Sequence, residues 1–134
     1  MFFGNFDHTL DDKNRISIPA KWRAMFDAPA YLTIGPSAEE RCIVVYAKEG
    51  FTRAYEEVRA LGTHSKEARD KHRELFGNAH EVVKDGSGRL LVPTDLITAA
   101  GLDKEVLAVG AGDWFEYWDK ATYTAYKAAR GTGP

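Results

Sequence analysis

The sequence predicts an α+β fold: one domain in which two repeats interleave as a pseudo-twofold β-barrel, with helices at the periphery. Three features of the chain lead there. The first is internal repetition. Asp11-Asp12-Lys13-Asn14-Arg15-Ile16-Ser17-Ile18-Pro19 aligns with Asp85-Gly86-Ser87-Gly88-Arg89-Leu90-Leu91-Val92-Pro93 at an offset of 74. Leu32-Thr33-Ile34-Gly35 aligns with Leu107-Ala108-Val109-Gly110 at an offset of 75, and Tyr46-Ala47-Lys48 with Trp118-Asp119-Lys120 at 72. Drift of that size is what loops of unequal length produce, so the chain reads as two copies of one unit. The second feature is a shared order of elements: extended segment, polar turn, strand, proline, apolar strands, helix. The third is size. Three or four short strands per copy would leave edges and an apolar face bare, and interleaving the copies covers both.

Each copy opens with an extended segment that enters a turn rich in Asp, Asn and Gly and leaves it as a strand, 15–18 or 89–92. Apolar strands around such a turn read as a hairpin. The proline that follows suits the first turn of a short helix, where its missing N–H has no partner to lose. In the second copy that helix is expected over 93–100, with Gly101 just past its end. Apolar strands come next, 31–35 with 42–46 and 106–110 with 114–118. An amphipathic helix closes each copy, 48–61 and 120–129, the latter capped by Asp119. Residues 65–76 read as one more helix, charged on most faces, and the tail 131–134 is expected to fray. The expected division is a first repeat over 1–62, a connecting helix and linker over 63–80, and a second repeat over 81–134, all in one compact domain.

Composition limits the function classes. A chain of 134 residues, 44% apolar, has room for one core and not for separate cofactor and substrate domains. The 18 basic and 20 acidic residues give a formal charge of −2. A uniformly cationic nucleic-acid coat is thereby excluded, and a DNA-binding surface must be local or built by symmetry. The single cysteine, Cys42, excludes an intrachain disulfide and multi-thiolate metal sites, and reads as a small buried residue at the head of an apolar run. No apolar run approaches the ~20 residues of a membrane span, and Met1 to Asp7 shows no signal-peptide pattern. A soluble protein of a reducing, cytoplasmic compartment, with no membrane partner, is the expectation.

Enzyme chemistry finds little support. Gly86-Ser87-Gly88 and Gly110-Ala111-Gly112 lack the third glycine of a dinucleotide fingerprint, and no phosphate loop or nucleophile elbow occurs. His8, His64, His72 and His80 include no pair at i, i+4 spacing, so no metal, cofactor or small-molecule substrate is expected. Asp11 and Asp85 could be a pair of carboxylates from related halves. Each, however, has an arginine four residues on that would keep it ionised, and bracing of the turn by an Asp–Arg pair is the better account. No catalytic residue is assigned.

The turns are the best functional candidates. Lys13, Asn14 and Arg15 lie at the first turn, with Lys21 and Arg23 on the helix after it. Such a tip can enter a groove as a β-ribbon, Arg reading guanine edges and Lys meeting phosphate. Merely solvated basic residues give the same pattern, and spacing does not separate the two. Of that set the second copy retains only Arg89, with Ile97 at the place of Arg23, so the first turn would carry most of any DNA reading.

At residues 11–23 the sequence resembles the MraZ family of bacterial transcriptional regulators, and the block from Asp85 to Pro93 resembles that family's second motif. Ala100-Gly101-Leu102, Glu105-Val106-Leu107, Val109-Gly110 and Glu116-Tyr117-Trp118-Asp119 match its C-terminal pattern, and Met1-Phe2-Phe3-Gly4 its opening. The likeness spans nearly the whole chain, and the doubled Asp-x-x-x-Arg motif is specific within the wider AbrB-like group. The resemblance implies a double-psi-type barrel of two AbrB-like halves, assembled as a homo-oligomeric ring. It implies binding to short direct repeats of double-stranded DNA upstream of the cell-division and cell-wall gene cluster, the family's own promoter included. The family usually represses there, on the nucleoid. Carried over by residue, the DNA-contacting turn falls on Lys13 and Arg15, with Arg89 as the matching arginine. Asn14 stands where the family usually has glycine, and asparagine tolerates a positive φ better than most residues. Two other classes stand beside this one: an antitoxin-like or protein-interaction module using the 65–76 helix, and a small enzyme using Asp11 or Asp85. Antitoxins of this group usually carry one such motif and a long disordered tail, whereas this chain has two motifs and almost no tail.

Overall fold

The computed structural model describes residues 1–131. Of the tail expected to fray, 132–134 lie outside the described residues, and Gly131 sits in a turn, its N–H donating to the Ala128 carbonyl at 3.0 Å. The first copy supplies β1 (Asn5–Thr9), β2 (Arg15–Ser17), a 3-10 helix (Ala20–Phe26), β3 (Ala30–Ile34), β4 (Ile43–Tyr46) and α1 (Lys48–Arg59). After α2 (Lys66–Gly77), the second supplies β5 (His80–Val82), β6 (Arg89–Leu91), α3 (Thr94–Ala100), β7 (Glu105–Gly110), β8 (Phe115–Asp119) and α4 (Lys120–Ala129).

Local chemistry accounts for several ends. The Ser65 hydroxyl accepts from the Ala68 N–H at 3.0 Å and Asp119 Oδ2 from the Thr122 N–H at 3.2 Å, so α2 and α4 begin where a side-chain oxygen caps a free donor. Gly101 ends α3 at φ 63°, a region a Cβ disfavours. Pro93 stands just outside α3 rather than in its first turn. Its ψ of 139° keeps it extended, while its carbonyl accepts from Leu96 and Ile97, both at 3.1 Å. In the first copy the equivalent proline leads into a tighter 3-10 helix, closed by the Trp22 N–H on the Pro19 carbonyl at 2.8 Å.

Six strands form one antiparallel sheet in the order β1-β7-β8-β4-β3-β5, and β2 pairs with β6 in a separate two-stranded ribbon. The hairpin expected at each turn is replaced by a crossed pairing. Each turn does close, the Asp11 N–H on the Arg15 carbonyl at 3.0 Å and the Asp85 N–H on the Arg89 carbonyl at 2.9 Å, but the strands beyond it part. β1 runs to β7 and β5 to β3, each in the other copy, while β2 and β6 find one another. The exchange gives each short turn strand a partner and buries Ile16 and Leu90 completely, which a lone two-stranded hairpin could not do. Two facing pairs join repeat-equivalent residues: Ile16 with Leu90, 74 apart, and Val44 with Glu116, 72 apart. The sheet itself is open. Its edges are β1 and β5, and among the described residues no ladder joins them.

One core draws on both copies: Ile16, Ile18, Trp22, Phe26 and Leu32 of the first, and Leu90, Leu96, Val106, Phe115 and Tyr117 of the second. Phe115 links them, its ring centroid 4.9 Å from that of Trp22 and 5.0 Å from that of Tyr117. The Tyr117 hydroxyl, carried into this core, donates to the Ser17 carbonyl at 2.9 Å and so ties β8 to the other copy. A smaller cluster, Cys42, Val44, Val109 and Trp118, lies against Tyr123 and Tyr126 of α4. Burial pushes the Cys42 thiol well above its ordinary range. α1 and α2 pack as a pair, Phe51 stacking on Tyr31 of β3 at 4.5 Å and meeting Phe76 edge-on at 5.6 Å. Among the described residues no helix is long and apolar enough to cross a membrane.

Candidate nucleic-acid interface

The two turns are built from the same bonds. In the first, Asp11 Oδ1 accepts the N–H groups of Lys13 and Arg15, both at 2.9 Å, and the Asp11 carbonyl accepts the Asn14 N–H at 3.0 Å. In the second, Asp85 Oδ1 accepts the N–H groups of Ser87 at 2.9 Å and Arg89 at 3.0 Å, and the Asp85 carbonyl accepts the Gly88 N–H at 3.0 Å. An aspartate side chain has the reach to hold its own backbone two residues on, which is why this residue type organises such a turn. The chain then passes through a positive φ, 62° at Asn14 and 79° at Gly88. Asparagine meets that requirement at 14 without glycine.

The arginines are held by the same carboxylates. Arg15 Nε donates to Asp11 Oδ2 at 2.8 Å and Arg89 Nε to Asp85 Oδ2 at 3.0 Å. Arg89 Nη1 also lies 3.8 Å from Asp11 Oδ2, which couples the turns side by side. The two arginine side chains keep 28% and 32% of their exposure, enough to present a guanidinium edge while the stem is covered. Both carboxyls are held below the ordinary carboxylate range. For Asp11 the largest cause is the Arg15 backbone N–H, and for Asp85 the Arg89 backbone N–H. Neither therefore offers a proton for acid catalysis near neutrality.

The turns are also bonded across the copies. The Val92 N–H donates to the Asn14 carbonyl at 2.8 Å and the Ile18 N–H to the Gly88 carbonyl at 2.9 Å, a reciprocal exchange between equivalent positions. Arg23 adds a third tie. Its Nε donates to the Ile18 carbonyl at 2.9 Å, and its side chain lies against Gly88, where an added Cβ would come within 2.6 Å of that nitrogen. Lys13 and Arg15 of the candidate set thus stand with Asn14 and Arg89 at the paired turns. Arg23 is engaged between the copies, and exposed Lys21 sits over the Phe6 ring of β1 at 6.0 Å. Lys13, exposed at the tip, has no ion-pair partner among the described residues. Charge at the turns balances: Asp11, Asp12 and Asp85 face Lys13, Arg15 and Arg89. Sequence reasoning missed the Arg23–Gly88 packing and the Arg89–Asp11 contact. The only signal for them was the equal spacing of the two motifs, which does not state how the copies pair. Among the described residues no group of three metal-ligating side chains occurs.

The family model for the MraZ protein, a family described as antitoxin-like, matches this chain twice, over residues 1–74 and 75–130. This chain belongs to the MraZ family. Relatives are similar over almost its full length. A transcriptional regulator MraZ of Kocuria rhizophila is 40% identical over 126 residues, covering 94% of this chain and 86% of the relative. One of Micrococcus luteus is 38% identical over 128 residues, covering 96% and 87%. One of Mesoplasma florum is 35% identical over 128 residues, covering 95% and 86%. The double match of the family model agrees with the internal offset near 74, since both divide the chain into two like halves.

Proposed function

We propose that the chain is a DNA-binding transcriptional regulator whose reading surface is the pair of turns, the first turn dominant. One observation carries this: relatives named as transcriptional regulators match nearly all of the chain. For the site, Arg15 and Arg89 both reach Asp11, whose side chain also holds the Lys13 N–H. Asp11 and Asp85 hold the arginines by Nε, which leaves the Arg15 Nη groups for a base edge or a phosphate, while Arg89 Nη1 is shared with Asp11 at 3.8 Å. A guanidinium so oriented loses less freedom on binding. Lys13 stands ahead of them as a point charge. The targets are short direct repeats upstream of the cell-division and cell-wall gene cluster, including the chain's own promoter, and the action there is repression, in the cytoplasm on the nucleoid.

The balanced charge of the turns gives one subunit little net pull on a polyanion. A homo-oligomeric ring that sets first turns on successive repeats raises apparent affinity by a factor of about 10²–10⁴ when the geometry permits. Within each subunit the repeats 1–62 and 81–134, joined through 63–80, act as one pseudo-twofold barrel of the double-psi type. The reciprocal bonds of Asn14 with Val92 and Gly88 with Ile18 support that reading.

The test is binding to the chain's own upstream DNA, intact and with scrambled repeats, over a salt series. Preference for intact repeats by the oligomer, with poor binding by a verified monomeric variant, is the expected result. Equal affinity for scrambled DNA reduces the chain to a non-specific binder. No binding at low salt by a confirmed oligomer overturns the proposal and favours a protein partner, as the family's antitoxin-like description would have it.

A further inference from the structure

A groove between the β3–β4 face of the sheet and the α1–α2 pair shares no lining residue with the turns and encloses ≈ 690 Å³. That volume falls in the range of small-molecule sites, about 300–1,000 Å³. Its most constructed feature is Glu116 on β8. Oε2 accepts the Trp114 indole N–H at 2.9 Å and Oε1 the Trp118 indole N–H at 2.8 Å. Two neutral donors fix the direction of this carboxylate without neutralising it. Among the described residues neither Glu116 nor Glu57 of α1, which also lines the groove, has a cationic side chain within ion-pair distance.

The surroundings set the sign of a ligand. Carboxylates lining the groove outnumber cations four to two: Glu40, Glu57, Glu74 and Glu116 against Arg41 and Lys71. Lys71 and Glu74 pair with each other at 3.5 Å, which leaves Glu40, Glu57 and Glu116 against Arg41, whose guanidinium lies against Gly101. Tyr46 and Trp114 line the same space with centroids 6.2 Å apart and planes at 50°, two π surfaces set at an angle as in sites that take organic cations. The Tyr46 hydroxyl is pushed up to about 12, by burial first and then by the negative charges of Glu57 and Glu116, which places both carboxylates within electrical reach of that ring. Thr33, 3% exposed, also lines the groove, and its hydroxyl has no hydrogen-bond partner among the described residues. By the alternation of β3, Leu32 enters the shared core while Thr33 faces Val44 of the outer cluster, on the side of the groove. Thr33 pairs with Val44 and Val44 with Glu116, so the hydroxyl and the carboxylate share one sheet face with Val44 between them, and both line the groove that a donor-rich head group would enter.

We propose that this groove binds a small organic cation: an ammonium or guanidinium head held by Glu116 and Glu57 beside Tyr46 and Trp114, with its apolar body along Val44 and Val58. The inference is independent of DNA binding, since none of these residues belongs to the turns. The probe is phenethylammonium, titrated into the full chain in its native assembly and followed by calorimetry and tryptophan fluorescence, with uncharged phenethyl alcohol as control. The ammonium is expected to bind saturably and about tenfold more tightly than the alcohol. Glu57→Gln, on an exposed helix position, weakens it about tenfold while leaving the unfolding midpoint unchanged. Glu116→Gln weakens it further, and if that variant fails to fold, Glu57→Gln decides. No saturable binding at millimolar ligand overturns the proposal, and a groove closed by a second copy would give that result. Equal binding of ammonium and alcohol, or full binding by Glu57→Gln, overturns it as well.

Discussion

Lys13 and Ser87 occupy the same place in two turns held by the same atoms. In each turn the carboxylate two residues earlier accepts their N–H and that of the arginine two residues later. In each, a residue at positive φ stands between them and that arginine. The tips differ. Where the first copy presents Asp12 and Lys13, the second has Gly86 and Ser87, and where the first places Arg23 on the following helix, the second has Ile97. Arg23 packs on Gly88, so the first copy's cation braces the second copy's turn. Frame and exposed charge have separated between the copies: the shared bonds set the backbone, and the single free cation at a tip is Lys13 among the described residues. Two turns can therefore be alike in shape without being alike in use.

The sharpest way to break this likeness is at its positive-φ residues. Gly88→Ala adds a Cβ at φ 79° and drives it into Arg23, 2.6 Å from Nε. Left-handed strain of about 1–2 kcal/mol and the loss of the Arg23–Ile18 bond, about 1 kcal/mol, give a destabilisation of about 2–3 kcal/mol. Asn14→Gly should lie within about 1 kcal/mol of the parent, since the turn already sits in a region glycine prefers. Urea unfolding of both variants is the measurement. A Gly88→Ala variant as stable as Asn14→Gly would mean that Arg23 does not brace the second turn.

Much of this was legible in the sequence and some was not, for a physical reason. Repetition at 74 placed the turns, their aspartates and their arginines, and Asp119 and Gly101 marked helix ends because caps are local chemistry. The pairing of strands was not local. Asp11 to Arg15 looks like a hairpin because its turn is one, yet β2 leaves for β6, and nothing within ten residues of Ile16 announces Leu90 as its partner. The same holds for Arg23. The sequence placed it with Lys21 on the helix after the first turn as a DNA-binding candidate, whereas its neighbour, Gly88, follows from how the copies cross. The groove at Glu116 was invisible for the same reason, since α1, β3 and β8 meet there from distant parts of the chain.

Binding separates the turns next. Under the proposed function, in which Arg15 reads a base edge, Arg15→Ala should weaken specific DNA binding by about 10–100-fold. Arg89→Ala should cost less, because no cation accompanies it at the second tip. Neither arginine is free of the fold: each gives up a carboxylate contact, so thermal unfolding must accompany the binding curves. A larger loss in Arg89→Ala at equal stability would reverse the assignment of the dominant turn. Exchanging the tips sharpens the same point. Lys13→Ser should flatten the salt dependence of binding by about one phosphate contact, and Ser87→Lys should steepen it by about one if the second tip also faces DNA. An unchanged slope in both variants removes the tips from the phosphate backbone.

The smallest effect separates the strands that lead into the turns. His8 on β1 has Val82 as its equivalent on β5, 74 residues on, and each lies partly buried. Burial of the imidazole, and next the Arg23 charge, lower the His8 pKa from 6.5, with Asp7 acting in the opposite sense. The folded chain therefore binds this proton more weakly than the unfolded chain does. Stability contributed by neutral His8 is present above the unfolded value and is lost as pH falls from there through the lower folded value. His8→Val gives the first strand the residue of the second and removes that titration. Urea midpoints at about pH 7.5 and about pH 5 should draw closer together in the variant than in the parent, with the shared contributions of Asp11 and Asp85 unchanged because both stay ionised across that window. If the gap between the two midpoints is the same in both proteins, His8 is not a proton-linked difference between the copies. The asymmetry would then be confined to the tips of the turns.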